Sequence, residues 1–137
     1  MSHAAVVEST GAVFGAPRRW LRVEGGTLVA AALVGFGTTG RSWWLVPLLV
    51  LIPDLSMAGF LVGTRAGARA YNVAHATSLP AVVAALGWWQ DRSLVLAVGL
   101  IWLAHIGVDR VVGYGLKYDD HFGHTHLGSS RARRGAA

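Results

Sequence analysis

Four apolar segments fill the chain between residues 22 and 113, and they constrain its fold more than any other feature. They are RVEGGTLVAAALVGFG at 22–37, WWLVPLLVLIPDLSMAGFLVG at 43–63, residues 66–89, which contain YNVAHATSLPAVVAALGWW, and SLVLAVGLIWLAHIGVDRVVG at 93–113. A helix needs roughly 20 mainly apolar residues to cross the hydrocarbon of a bilayer. The last three segments reach that length, whereas the first is short and would have to begin earlier.

The composition favours the same class of protein. Of the 137 residues, 53% are hydrophobic and only 14% are charged, compared with about 25% charged residues in an average soluble domain. A soluble protein with buried helices is the alternative, but little polar helix surface remains to meet water. The absence of cysteine excludes disulfides, zinc–thiolate sites and a cysteine nucleophile. The segment before residue 22 has no apolar core ending in a cleavage site, so no signal peptide is expected.

Short connections indicate how the segments are arranged. The links GTTGRS, TRAG and QDR are turn-like, and short links place successive helices antiparallel. The sequence therefore predicts an all-α, integral-membrane bundle of four up-and-down helices over residues 22–114. Residues 1–21 would form a tail or interfacial helix. Residues 115–137 would form a cytoplasmic tail rich in histidine and basic residues, with a disordered end.

Basic residues predict the orientation of the bundle. They cluster in the two tails and after the second segment, whereas the opposite side carries only Arg41 and Arg92. The positive-inside rule then puts both termini in the cytoplasm. The pairs Trp43–Trp44 and Trp88–Trp89 fall at the outer interface, where an aromatic belt is expected. Juxtamembrane residues thus explain the net charge of +5, and no basic face interleaved with aromatics predicts nucleic-acid binding.

Ionisable side chains inside apolar segments are costly and usually functional. At a rise of about 1.5 Å per residue, four of them lie roughly 6 to 14 Å from the inner ends of their helices: Asp54, His75, His105 and Asp109. Glu24 lies near the inner mouth of the first helix. His105 and Asp109 are four residues apart and share one helix face. A carboxylate or imidazole from each of four helices predicts a polar site in the cytoplasmic half of the bundle.

Two groups of residues flank this predicted site. Tyr71 and Asn72 lie on the same face as His75 and would act either as donors to the site or as contacts between helices. Pro53 removes a backbone donor, so the chain could kink to open a cavity beside Asp54, or kink only for packing. The candidates for substrate binding are Tyr71, Asn72, Arg110, Tyr114, Lys117 and His126.

The tail after residue 113 carries further histidines. The sequence GYG at 113–115 permits a tight bend that would fold the tail under the bundle. The spacing of His121, His124 and His126 could bind a metal, but a histidine-rich tail can also be merely solvated, so the roles of His121 and His124 stay open.

Five motifs in order, RVEG, IPDLSMAGFLVG, AYNVAHATSLP, IWLAHIGVDRVVGYGLKY and FGHTHLG, resemble a small bacterial membrane family catalogued as domain of unknown function 4260. The resemblance covers about residues 21–128. It implies that the family pattern includes Glu24, Asp54, His75, His105, Asp109, Arg110, Tyr114, Lys117 and His126. An acidic residue usually stands where His124 lies, so His124 is not expected to be essential. The resemblance also implies the bacterial cytoplasmic membrane as the location, and it carries no activity.

The layout is also similar to that of membrane-bound metal-dependent hydrolases of the LexA-regulated type. Those proteins have an N-terminal histidine, a Pro-Asp-x-Asp motif, a histidine-rich helix start, and a His-x-x-x-Asp helix followed by a glycine turn. The last three elements are matched here by Pro53-Asp54, by His75, and by His105 with Asp109. Ser56 replaces the second aspartate of the motif, and Glu24 stands roughly where the N-terminal histidine would be.

Three functions fit these residues. The first is metal-dependent hydrolysis of a lipid-like or phosphoester substrate, with one divalent ion (Zn, Mn or Fe) bound by Asp54, His75, His105 and Asp109. Glu24, Asp54 and Asp109 are the catalytic candidates, with Glu24 as ligand or base.

The second is a metal-free acid–base enzyme, such as a terpene-cyclase-like protein, in which Asp54 or Glu24 protonates a hydrophobic substrate. The third is a non-enzymatic ion or proton path, or a subunit of a membrane complex. The expected partners are a membrane lipid or a hydrophobic small molecule, and a pore would require a homo-oligomer because four helices enclose little volume.

Overall fold

The computed structural model describes residues 11–129, and most of them are helical. The helices are α1 (Gly15–Gly37), α2 (Leu45–Leu49), a 3-10 helix (Ile52–Leu61), α3 (Thr64–His75), α4 (Ser78–Trp89) and α5 (Ser93–Val112). Two short antiparallel strands follow in the tail, β1 (His124–Thr125) and β2 (Gly128–Ser129). The predicted helical fold class is confirmed. The first ten residues of the predicted N-terminal tail and the basic end from residue 130 onward lie outside the described residues.

α5 is the central helix, and α1 and α4 pack along it in antiparallel directions. Glycines allow the backbones to touch. A Cβ atom at Gly107 would lie 2.7 Å from the carbonyl oxygen of Gly25, and one at Gly99 would lie 2.5 Å from the backbone nitrogen of Ala84. Small residues of this kind let two helices approach closely. The buried core beside these contacts consists of Phe36, Ala97 and Ile101.

The second apolar segment is not one continuous helix, contrary to the prediction. α2 ends at Leu49, and the chain continues as the 3-10 helix. Pro53 has no amide hydrogen, and its ring would clash with the carbonyl of Leu49 in a continuous α-helix, so the helix breaks one turn earlier. The hydroxyl of Ser56 donates to the carbonyl of Pro53 at 2.7 Å. The break places Asp54 in the first turn of the 3-10 helix.

The third apolar segment is broken as well. α3 ends at His75, Ala76 has extended backbone angles (φ −79°, ψ 132°), and α4 begins at Ser78. Pro80 is tolerated in the first turn of α4, but its ring would clash with the carbonyl of Ala76 if the helix were continuous. The predicted link TRAG is in fact the first turn of α3.

These breaks change the count of long helices. Among the helices within residues 11–129, only α5 is long and apolar enough, by length and composition, to cross a membrane. α1 begins at Gly15 rather than at residue 22 and therefore takes in part of the predicted tail. Its early start is explained by Pro17, because proline suits the first turn of a helix.

The tail folds back onto the helices. Gly113 ends α5 with a φ of +94°, a left-handed conformation that favours glycine. Beyond this turn, the amide N–H of Lys117 donates to Oδ1 of Asn72 at 2.7 Å, and Nδ2 of Asn72 donates to the carbonyl of Lys117 at 2.8 Å. This reciprocal pair of hydrogen bonds joins the tail to α3.

Candidate metal centre

Four predicted site residues converge between the 3-10 helix, α3 and α5, and we call them the His/Asp cluster: Asp54, His75, His105 and Asp109. Nε2 of His75 lies 3.1 Å from Nε2 of His105 and 3.3 Å from Oδ1 of Asp54. Nε2 of His105 lies 3.5 Å from the same oxygen of Asp54. Oδ2 of Asp109 lies 3.5 Å from Nε2 of His75 and 3.6 Å from Nε2 of His105.

These separations match the spacing of ligands around a small tetrahedral ion. An ion bound at about 2.0–2.1 Å in tetrahedral geometry has ligand atoms roughly 3.3 Å apart. The distances between the two imidazole nitrogens, and from each of them to the two carboxylates, run from 3.1 to 3.6 Å. The ligand atoms of Asp54, His75 and His105 all lie within 4.8 Å of one another. Two imidazoles and two carboxylates form a ligand set that suits zinc, manganese or iron. Asp54, His75 and His105 therefore have the atoms and the close spacing that could hold a metal ion, and Asp109 contacts both imidazoles.

The hydrogen bonds indicate which nitrogen of a neutral His75 carries the proton. Nδ1 of His75 lies 2.9 Å from the carbonyl oxygen of Tyr71, and because a carbonyl can only accept, Nδ1 must be the donor. A neutral His75 then presents a lone pair at Nε2. That lone pair faces carboxylate oxygens of Asp54 and Asp109 and Nε2 of His105. A divalent cation would be held by Asp54, His75 and His105, whose ligand atoms all lie within 4.8 Å of one another.

Exposure differs sharply across the cluster. The side chains of His75 and His105 are 1% and 6% exposed, whereas those of Asp109 and Asp54 are 17% and 39% exposed. The imidazoles thus form the closed end of the site. Asp54 lies at its more exposed side.

Tyr71 supports two members of the cluster. Its ring stacks on the imidazole of His75, with centroids 3.7 Å apart and planes 10° from parallel. Its hydroxyl donates to Oδ2 of Asp109 at 3.3 Å. Contacts that orient metal ligands in this way are commonly important for metal affinity. Tyr71 thus lies where the first of its two predicted roles requires.

Arg110 binds backbone carbonyls. Its guanidinium donates to the carbonyl of His75 at 3.3 Å and to that of Tyr114 at 3.2 Å. His75 is the last residue of α3, so no backbone N–H of that helix donates to its carbonyl. Arg110 therefore holds the end of α3 against the turn after α5, a structural role that the sequence prediction did not include. The side chain of Tyr114 is exposed.

Lys117 brings a positive charge to the same region. Its ammonium donates to the carbonyl of Phe122 at 2.7 Å and lies 3.9 Å from the centroid of that ring and 4.7 Å from the ring of Tyr71. Burial lowers the pKa of Lys117, while the carboxylates of Asp109 and Asp54 raise it. Lys117 is thus within electrostatic reach of the cluster. The aromatic contact with Phe122 is a feature that the sequence does not reveal, because it depends on how the tail folds.

The structure does not bring Glu24 to the cluster. Its side chain is exposed on α1, and within residues 11–129 no hydrogen bond or ion pair joins it to the four ligands. The next residue, Gly25, faces α5, where a Cβ atom would lie 2.5 Å from Cβ of Arg110. Successive helical residues point about 100° apart, so Glu24 is turned away. Its predicted role as ligand or base is therefore not supported.

His121 and His124 have local partners in the tail. Nδ1 of His121 accepts a hydrogen bond from the amide of Gly123 at 3.0 Å. Nδ1 of His124 lies 2.8 Å from Oδ2 of Asp120. Neither residue lies in the His/Asp cluster.

His126 shapes the fold of the tail. Its Nδ1 accepts a hydrogen bond from the amide of Leu116 at 2.9 Å, and its own amide donates to the carbonyl of Leu116 at 3.0 Å. Burial lowers the pKa of His126, and the nearby charge of Arg110 lowers it further. His126, which the sequence predicts to bind substrate, thus hydrogen-bonds to the backbone of Leu116.

An apolar cavity of about 480 Å³ lies beside the cluster. Two of its wall residues, Pro53 and Ala74, directly precede cluster residues in sequence, and Trp102 lies one turn before His105. A cavity at the Pro53 break corresponds to one of the two alternatives that the sequence leaves for this proline. Val98 lines the cavity as well. No sequence pattern distinguishes Ala74 or Val98 from ordinary packing residues.

Comparison with known proteins places the chain in a family. No curated protein matches it, and no solved structure does. A family model described as Domain of unknown function (DUF4260) matches residues 18–129. This range covers most of the chain and includes all four cluster residues, so the resemblance predicted from the sequence motifs is confirmed. The chain therefore belongs to the DUF4260 family.

Proposed function

We propose that this chain is an integral-membrane enzyme that uses one divalent ion in the His/Asp cluster to hydrolyse an ester or phosphoester bond of a lipid-like substrate. One observation carries the proposal. The Nε2 atoms of His75 and His105 lie 3.1 Å apart, each lies 3.3 to 3.6 Å from carboxylate oxygens of Asp54 and Asp109, and the ligand atoms of Asp54, His75 and His105 all lie within 4.8 Å of one another. A polar pair that merely stabilised a helix would need two such atoms, not four.

The side chains at the site have different roles in this proposal. An ion held by these side chains would supply Lewis acidity and would lower the pKa of water bound to it. Asp54, the most exposed of the four side chains, would accept a proton during hydrolysis. Tyr71 and Arg110 hold His75 in place from its ring and from its carbonyl. Lys117 offers a positive charge to an anionic head group.

Surface properties support a membrane location. Large apolar side chains are widely exposed, among them Leu61 at 92% and Val34 at 73%, and extensive exposure of this kind marks an interaction surface. Four exposed tryptophans lie at the end of the molecule where α5 begins: Trp43, Trp44, Trp88 and Trp89. The basic residues of α1, α3 and the tail lie toward the other end, which favours a cytoplasmic position for that end.

A metal-free acid–base enzyme is the second candidate. It is favoured by Asp54, which lies within 3.3 Å of the imidazole of His75 and directly follows a wall residue of the apolar cavity. A carboxylic acid beside a hydrocarbon pocket can protonate a hydrophobic substrate. In this case the cluster would tune Asp54 rather than hold an ion.

Metal content tests the proposal directly. The full chain, purified in mild detergent and incubated with Zn, Mn or Fe, should retain about one equivalent of metal, as a single four-ligand site requires. His75→Ala and His105→Ala should lose it, whereas the matched control His121→Ala should keep it. The loaded parent should then hydrolyse chromogenic ester or phosphodiester substrates, and both cluster variants should be inactive.

The opposite result is equally clear. If no sample retains metal above background after loading, the metal-dependent mechanism is wrong. Asp54→Asn would then be assayed against hydrophobic substrates as the variant that removes the proposed proton donor.

A further inference from the structure

We infer that the apolar cavity binds the hydrocarbon chain of a membrane amphiphile whose polar head lies at the His/Asp cluster. The placement of the head rests on the proposed function. The binding site for the chain is an addition to it, because none of the four ligands lines the cavity.

The position of the cavity links it to the cluster. Pro53 directly precedes Asp54 on the 3-10 helix, and Ala74 directly precedes His75 on α3. Trp102 lies one turn before His105 on α5. Each of the three elements that supply the cluster therefore also supplies part of the cavity wall. A molecule held by its head at one site has its chain beside the other.

The chemistry of the wall selects hydrocarbon. Two polar groups belong to the wall, and both have partners: the hydroxyl of Ser56 donates to Pro53 at 2.7 Å, and the indole N–H of Trp102 donates to the carbonyl of Ala74 at 2.6 Å. The other lining side chains are aliphatic, among them Leu49 and Ile101. A wall without charge or free donors would leave the polar groups of a sugar or nucleotide unpaired, which is costly.

Size and access fit a chain that enters from the bilayer. The volume of about 480 Å³ lies within the roughly 300–1,000 Å³ that is usual for ligand pockets. Ile52 and Val98 line the cavity and are themselves 50% and 36% exposed. The cavity therefore opens sideways onto the apolar surface, so a lipid chain can enter without crossing water.

Photolabelling tests this inference. The full chain is reconstituted in phosphatidylcholine vesicles with palmitic acid that carries a diazirine near its methyl end, and labelled residues are mapped by mass spectrometry. We expect stronger labelling of Ile101 and Trp102 than of Val34, an exposed apolar residue on α1. Val98→Trp should fill the cavity and reduce labelling of Ile101 and Trp102 to the level of Val34.

Leu94→Trp is the matched control, since Leu94 lies one turn earlier on α5, is exposed and does not line the cavity. It should leave the labelling unchanged. Val98→Phe replaces Val98→Trp if the larger side chain prevents folding. Equal labelling of the parent and the Val98 variant, or labelling of Ile101 and Trp102 that never exceeds that of Val34, would overturn the inference.

Metal content of the same preparations separates the two proposals. Metal retained without preferential labelling overturns the chain-binding site and leaves the proposed function standing. Preferential labelling that Val98→Trp removes, in protein that never retains metal, supports the chain-binding site and overturns the metal-dependent function.

Discussion

Two His–Asp pairs in this chain share the same spacing of four residues, yet they have different surroundings. On α5, Nε2 of His105 lies 3.6 Å from Oδ2 of Asp109, and both atoms also face Nε2 of His75. In the tail, Nδ1 of His124 lies 2.8 Å from Oδ2 of Asp120, and the carboxylate is exposed. The longer separation belongs to the candidate metal site.

The two His–Asp pairs differ in the partners of their ring nitrogens. A direct hydrogen bond between His124 and Asp120 occupies the ring nitrogen, and this bond is the main reason why the pKa of Asp120 is lowered. On α5 the imidazole of His105 and the carboxylate of Asp109 are too far apart for a strong hydrogen bond. Both lie within 3.5 Å of Nε2 of His75. In the tail the imidazole and the carboxylate bond directly to each other. On α5 the imidazole and the carboxylate both lie close to a third side chain, His75, as the ligands of one ion would.

The largest contrast is expected from removing one carboxylate charge in each pair. Asp109→Asn should weaken zinc binding by more than about 100-fold, the upper end of the cost of losing a contact that only supports a ligand. Asp120→Asn should leave the affinity unchanged. Competition with a chromogenic zinc chelator measures both. A similar loss in the two variants would erase the distinction between the pairs.

A smaller effect is expected from the tyrosine beside each pair. Tyr71→Phe keeps the stacking on His75 but removes the hydroxyl that donates to Asp109, so zinc affinity should fall by about 10- to 100-fold. Tyr118→Phe is the control, because its hydroxyl donates to the carbonyl of Gly11. The same chelator assay applies. Unchanged affinity in Tyr71→Phe would show that Asp109 is oriented without this hydroxyl.

Detaching the tail should separate the two regions. Asn72→Ala removes both hydrogen bonds to the backbone of Lys117, which should destabilise the docked tail by about 1–3 kcal/mol, given the net value of each bond. Amide hydrogen exchange of residues 116–127 should become faster, with zinc affinity little changed.

Arg65→Ala provides the comparison for this prediction. It breaks only the exposed ion pair with Asp119, whose atoms are 3.4 Å apart, and exposed pairs contribute little. Its exchange rates should therefore match those of the parent. Loss of zinc in Asn72→Ala would mean that the tail is an integral part of the metal site.

The smallest effect concerns the pH dependence of the tail. Burial lowers the pKa of His126 below its ordinary value of 6.5, so the unfolded chain binds a proton more readily than the folded one. Stability from this residue is complete above pH 6.5 and declines as the pH falls through that value toward the lower folded pKa. His126→Asn keeps an acceptor but does not titrate. Thermal unfolding in detergent at pH 7.5 and 5.5 should therefore show a smaller acid-induced drop in the variant, and an equal drop would contradict this assignment.

Sequence reasoning located the cluster because depth along a helix can be counted from its ends. Asp54, His75 and His105 have similar estimated depths, and the structure brings them together. Rotation about the helix axis cannot be counted in this way, and the structure has Gly25, not Glu24, facing α5.

A proline marks each helix break in the sequence, but hydropathy averaged over a window does not show it. Pro53 and Pro80 each interrupt an apolar segment, but a window of hydrophobic residues reads across them. The backbone contacts of the tail had no signal of this kind, because hydrogen bonds such as that between Asn72 and Lys117 join residues 45 positions apart.

The position of α5 in the chain has a consequence for biosynthesis. It is the last helix within residues 11–129 and supplies His105 and Asp109, whereas Asp54 and His75 are made earlier. A nascent chain that ends before residue 93 carries two of the four side chains and none of the helix on which α1 and α4 pack. The site therefore assembles only after the ribosome has completed α5, so any metal is acquired by a finished helical core, and a prematurely terminated product has no complete site to load.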